Sequence, residues 1–157
     1  MLQGSINHVS ITVTDLREAM KFFGPMLGFL GYTLGKISTY TSGGEGTALT
    51  VNINESNGTA VSIWQAKPGF AEHVFEVYEP GLHHVAFNVE RHEQVDELRD
   101  LVVNLGAKIL DGPGEFPFGP GGYYAVYFLG PDNLKFEVVH MPLAEKRARE
   151  RGLLTGN

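Results

Sequence analysis

The chain has no cysteine, which excludes disulfides and thiolate chemistry and leaves the redox compartment open. It also has no excess of basic residues. Against 12 Lys and Arg stand 18 Asp and Glu, a net charge of -6 with no basic patch, and this argues against nucleic acid as a partner. An acidic balance would suit a cationic ligand. No apolar run approaches the roughly 18 residues of a membrane span, so no membrane partner is expected. The N-terminus lacks a basic stretch followed by an apolar one, and a cytoplasmic protein is therefore expected. What the 157 residues do contain, 43% hydrophobic and 19% charged, is the composition of an ordinary globular protein. The length suits one compact domain, or two small repeats that share a core.

A short pattern occurs twice. Ile6-Asn7-His8-Val9-Ser10-Ile11-Thr12-Val13 returns as Leu82-His83-His84-Val85-Ala86-Phe87-Asn88-Val89. Each copy alternates strictly, the signature of a half-buried strand. Val9, Ile11 and Val13 oppose His8, Ser10 and Thr12, while Val85, Phe87 and Val89 oppose His84, Ala86 and Asn88. Each histidine thus opens the more polar face of its strand.

The segments that follow repeat as well. After the first strand, Thr14-Asp15 starts a helix with Glu18 in its first turn. Leu16, Ala19, Met20 and Phe23 recur at helical spacing; Gly24-Pro25 interrupts the pattern and Leu27-Gly28-Phe29 ends it. Residues 36–41 read as a strand followed by a Gly43-Gly44 turn, and 47–53 with 59–65 read as a hairpin. A joint at 67–81 leads to the second unit, its middle either a short helix or an extended crossover. There, 91–105 is helical along the stripe Val95, Leu98, Leu101, Val102 and Leu105. A short strand at 108–110 precedes a long loop at 111–122, rich in glycine and carrying Pro113, Pro117 and Pro120. The last hairpin joins 123–129 to 134–139 through Gly130-Pro131-Asp132-Asn133, and the charged tail 143–157 is expected to hold a surface helix. One domain, 1–157, is thus expected, with module one at 4–66, joint 67–81 and module two at 82–142.

Glu137 carries the chemical signal. Phe136 and Val138 are apolar, so Glu137 faces the other way, and an unpaired buried carboxylate is costly. If the units pack side by side, His8, His84 and Glu137 converge. Two imidazoles and one carboxylate with open positions suit a borderline divalent ion: Mn, Fe, Ni, Co or Zn.

The paired βαβββ plan, the two strand-opening histidines and Gly130-Pro131-Asp132-Asn133-Leu134-Lys135-Phe136-Glu137 resemble the vicinal oxygen chelate superfamily, the glyoxalase, bleomycin resistance protein and extradiol dioxygenase family. The likeness spans about residues 4 to 142. It implies an α+β fold, two βαβββ modules forming a half-open barrel around a metal held by His8, His84 and Glu137, and a homodimer. It further implies a metal-dependent lyase or isomerase, or a related addition, on a small molecule that chelates the ion through adjacent oxygens. The alternatives are a ring-cleaving extradiol dioxygenase and a non-catalytic drug-binding protein of the bleomycin-resistance type. The extradiol signature is met by Tyr127, Pro131 and Glu137, but the histidine expected before Tyr127 is absent. Nor is there a basic cluster of the kind that holds glutathione.

Aligning Ile63 with Phe136 sets Trp64 opposite Glu137, where glyoxalase I has a glutamate; a one-residue slip would make Gln65 a fourth ligand. Trp64, Phe118 and Tyr124 are pocket candidates, with plain core or dimer packing as the competing role for these rings. Only alternate members of Tyr123-Tyr124 can face a cavity. Glu115 is the nearest candidate base in the 111–122 loop, and a solvated glutamate is its plainer reading.

Overall fold

The computed structural model describes residues 5–42, 45–118, 122–142 and 146. The expected Gly43-Gly44 turn, positions 119–121 of the expected loop, and the charged tail apart from Lys146 lie outside the described residues.

The chain divides into two compact units, Met1–Val74 and Phe75–Asn157. The first comprises β1 (His8–Val13), α1 (Leu16–Phe29), β2 (Ser38–Ser42), β3 (Glu45–Asn54) and β4 (Thr59–Gln65). The second comprises β5 (Val85–Asn88), α2 (His92–Asn104), β6 (Lys108–Glu115), β7 (Tyr124–Leu129) and β8 (Lys135–His140). Their sheets run β1-β4-β3-β2 and β5-β8-β7-β6, each with its first and last strands parallel and the rest antiparallel. The fold is α+β, two βαβββ modules, as the duplicated pattern predicts. The parallel pair at one edge of each sheet requires a crossover, which the helix and the two strands after it supply.

In the first unit α1 covers one face of its sheet. Asp15 caps it, the carboxylate accepting from Arg17 N at 2.9 Å and Glu18 N at 3.0 Å. Ile11, Val13, Val61 and Ile63 of the sheet and Leu16, Phe23, Met26 and Leu27 of the helix are buried. Gly24-Pro25 does not break the helix, which runs on to Phe29. A proline inside a helix costs about 3 kcal/mol. Burying Met26 and Leu27 beyond it returns about 1.5–3 kcal/mol each, and packing wins.

The same face carries a buried polar row, Thr50, Asn52 and Asn54. Asn52 Nδ2 donates to Val61 O at 3.0 Å, Thr50 donates to Gly35 O at 3.0 Å, and Asn54 Nδ2 donates to Leu30 O at 3.1 Å. The row pins the connector between α1 and β2 to β3. Position 35 must be glycine, since a Cβ there would lie 2.1 Å from Val51 O.

The second unit repeats this layering. Val95, Leu98 and Val102 of α2 are fully buried, as are Val126, Phe128 and Val138 of β7 and β8. Gln94 Oε1 accepts from Glu90 N at 2.9 Å and Arg91 N at 3.0 Å, closing the first turn. One expectation is corrected here: much of the supposed loop is strand. β6 extends to Glu115 through Gly112 and Pro113, with register shifts between Ile109, Asp111 and Gly114. Glycine and proline are tolerated because β6 is an edge strand with bulges. At Gly112, where φ is +76°, a Cβ would lie 2.3 Å from Ala125 O.

Candidate metal centre

Strand pairing settles which side chains share a face. Glu137 of β8 lies opposite Tyr127 of β7 and Ala86 of β5. His84 stands two residues before Ala86, and so on the same face, away from α2. Glu137 is 1% exposed. Its Oε2 is 3.0 Å from His84 Nε2, and its Oε1 accepts a short hydrogen bond from the Tyr123 hydroxyl. The Nδ1 of His84 is 2.7 Å from His83 Nδ1. The His84 ring also meets Tyr127 edge-on, with centroids 6.0 Å apart.

Aromatic rings close around this carboxylate. Phe118 packs edge-on against Tyr123 at 5.6 Å, Phe116 against Tyr127 at 5.3 Å, and the two phenylalanines stack at 5.7 Å. Lys135 Nζ sits 5.2 Å from the Tyr127 ring centroid. Burial, and then the bond to Glu137, push the Tyr123 hydroxyl up to about 12, so it stays protonated and donates. Burial and the hydrogen bonds with Tyr123 and Glu137 push Tyr127 up as well. His83 is pushed down, by desolvation first and then by the charges of Lys135 and His84.

Of the three expected ligands, the structure pairs His84 with Glu137. His8 lies in the first unit, where it is exposed and its Nδ1 is 2.9 Å from Asn7 Oδ1. Among the described residues no three His, Asp or Glu side chains gather closely enough to enclose an ion. The His84–Glu137 pair itself fits one. An imidazole nitrogen and a carboxylate oxygen suit a borderline divalent cation, and two donors bound at about 2.1 Å and at right angles lie about 3 Å apart.

The other expected site residues fall as follows. Phe118 reaches Tyr123, as described. Tyr124 is corrected: it lies on the α2 face, donates to Asp96 at 2.9 Å and stacks on His92 at 4.4 Å. Tyr123 takes the place beside Glu137, because it shares the parity of Tyr127 along the strand. The expected alignment of Ile63 with Phe136 is corrected too. In the ladders Val9 faces Val61 and Val85 faces Phe136, so Ser62 occupies the position of Glu137. Ser62 bonds Ser10 Oγ at 2.7 Å and accepts from Trp64 Nε1 at 3.1 Å. Trp64 also meets the Tyr40 ring at 5.6 Å.

Gln65 points to the opposite, helix-covered face. Its Oε1 accepts from Leu16 N at 2.9 Å and its Nε2 donates to Thr14 O at 2.6 Å, so the amide locks the start of α1. Glu115 lies exposed at the end of β6, accepting from Tyr123 N at 3.4 Å and 3.8 Å from His92 Nε2. Sequence reasoning undervalued Tyr123 and His83. The signal for His83 was available: it holds, in the second copy of the repeat, the position of Asn7 in the first.

Residues 5–138 match the family described as the Glyoxalase/Bleomycin resistance protein/Dioxygenase superfamily. The uncharacterized protein YqjT of Bacillus subtilis (strain 168) is 30% identical over 135 residues, 85% of this chain and 97% of that protein. A 2-epi-5-epi-valiolone epimerase from Actinomyces sp is 25% identical over 152 residues, 88% of this chain and 80% of the enzyme. Among solved structures, a Bacillus halodurans protein provisionally described as a glyoxalase is 31% identical with a TM-score of 0.65, covering 88% of this chain and 97% of that one.

Proposed function

The chain belongs to the Glyoxalase/Bleomycin resistance protein/Dioxygenase superfamily, and on that premise we propose that it is a divalent-metal-dependent enzyme acting on a small molecule that chelates through adjacent oxygens. The observation that carries this reading is Glu137, a carboxylate buried beside the imidazole of His84 on the face away from the helix. Burying a carboxylate is expensive without a compensating cation. His84 and Glu137 supply two ligands, and His8, which holds the position of His84 in the first copy of the repeat, supplies the third. The ion is one of Mn, Fe, Ni, Co or Zn, and when bound it supplies Lewis acidity toward an enolate or oxyanion.

The chain's own residues hold the rest of the site. Tyr123 fixes the inner oxygen of Glu137, Tyr127 meets the His84 ring edge-on, and Phe116 and Phe118 pack against Tyr127 and Tyr123. The burial of the Glu137 carboxylate strengthens charge interactions at that point. Lyase chemistry, isomerisation and addition to an epoxide all pass through an oxyanion, and the similarity to an epimerase favours isomerisation.

Metal analysis is the first test. Purified protein reconstituted with each of the five ions should retain one equivalent, and His84→Ala should lose it while remaining folded. The loaded protein should then turn over a member of a panel of α-hydroxy ketones, 2-oxoaldehyde–thiol adducts, catechols and epoxides. Retention of no ion above background would sink the proposal and leave a drug-sequestering role in its place. Oxygen uptake with a catechol would instead mark a dioxygenase.

A further inference from the structure

Both histidines of the repeat are held in the same way from behind. In the first unit the Nδ1 of His8 is 2.9 Å from the side-chain oxygen of Asn7. In the second, the Nδ1 of His84 is 2.7 Å from the Nδ1 of His83. Asn7 and His83 each stand one residue before the histidine they contact, at equivalent positions of the duplicated pattern. Different side chains therefore engage Nδ1 of each ring, and Nε2 of His84 is the atom that donates to Glu137 Oε2 in the metal-free chain. Glu137 is held likewise: Tyr123 donates to Oε1, and Oε2 is the oxygen that faces His84 Nε2.

We infer that Asn7, His83 and Tyr123 are positioning residues, which determine that His8 and His84 present Nε2 and that Glu137 presents a single oxygen, Oε2. The inference rests on the proposed metal function and adds to it the residues that orient the ligands. An amide oxygen only accepts, so Asn7 fixes the proton of His8 on Nδ1 and leaves the Nε2 lone pair free. Two Nδ1 atoms 2.7 Å apart share one proton, so one ring donates and the other accepts. Once His84 gives its Nε2 lone pair to a cation, its ring proton sits on Nδ1 and His83 accepts it. His83 thus does what Asn7 does. A carboxylate has no proton to give, so Tyr123 donates to Oε1, which fixes the carboxylate plane and turns Oε2 toward His84 Nε2.

Outer partners of this kind change metal affinity by about 10–100-fold. The test uses the full-length chain and Zn2+ in competition with a chromophoric chelator. Asn7→Leu, His83→Leu and Tyr123→Phe should each weaken Zn2+ by about 10–100-fold. The melting temperature of the metal-free protein should be unchanged in the first two and lower in Tyr123→Phe, which leaves Glu137 Oε1 without its donor. His83→Asn, which installs the first unit's residue in the second, should keep affinity near that of the parent. Nitrogen-15 NMR of the Zn2+-loaded parent should show His8 and His84 protonated at Nδ1 and ligated through Nε2, a readout that needs no variant to fold. Unchanged affinity in the three variants, or ligation through Nδ1, overturns the inference alone. Failure of the parent chain to bind Zn2+ or any of the other four ions overturns the metal reading with it.

Discussion

A carboxylate with 1% of its surface exposed keeps its charge only where donors or cations surround it, and Glu137 has a phenol on one oxygen and an imidazole on the other. Its neutral isostere separates the two duties of the group. Glu137→Gln keeps the size and removes the charge, so ion retention should fall by more than about 100-fold, beyond what outer-shell partners reach. Stability of the metal-free protein should hold or rise, because a buried charge has been removed; urea denaturation of both proteins checks this. A clear drop in stability with metal retention unaltered would mean that Glu137 is structural. At this scale the sequence was informative where side-chain type decides and misleading where parity decides. His84 stands out because it repeats His8, and Glu137 because Phe136 and Val138 on either side of it are apolar. Tyr123 and Tyr124 look alike in the sequence until a pairing partner is known, and Tyr127 opposite Glu137 supplies it.

Among the elements, α1 sets packing against backbone preference. Pro25 stays in the helix because Met26 and Leu27 on its far side are completely buried. Pro25→Ala should therefore stabilise. It recovers about 3 kcal/mol of lost bonding and clash, less about 0.4–1 kcal/mol for the freer unfolded chain, a net gain of about 2 kcal/mol in denaturant titration. Phe23→Ala, which empties the fully buried ring beneath the same helix, should cost about 3–5 kcal/mol. By propensity alone Gly24-Pro25 interrupts the helical pattern that ends at Leu27-Gly28-Phe29, and residues 111–115 of β6 read as loop for the same reason. In both places tertiary contacts outweighed local preference: apolar burial along α1, and ladder bonds from β7 to a bulged edge strand. Strands with one buried face are legible to within a residue or two, as β1 shows: the alternation runs over 6–13 and the strand over His8–Val13. The register of β8 was not, since Phe136, Val138 and Val139 are apolar on both faces and alternation cannot say which of them matches Ile63.

For the whole molecule, the repeated plan of β1–α1 to β4 and β5–α2 to β8 divides the proposed ligands between the units, His8 in one and His84 with Glu137 in the other. In the proposed metal site, the ligands would come either from one chain or from two chains of a homodimer. Mixing a His8→Ala chain with a Glu137→Ala chain distinguishes these. Recovery of ion binding in the mixed species is the expected result for a site shared across chains, whereas ligands drawn from one chain leave both partners empty at every ratio.

Ser62, which holds in the first unit the position of Glu137 in the second, would set the charge of the proposed centre. An exact duplication would bring two carboxylates to two imidazoles and neutralise a divalent ion completely. With Ser62 the proposed centre would bring one, and an ion held there would retain one unit of positive charge. That residual charge would fall to the substrate to balance, which would favour molecules that bind as, or become, monoanions over those that stay neutral throughout. Ser62→Glu should cancel it: the variant would hold its ion more tightly and bind an anionic substrate analogue less well.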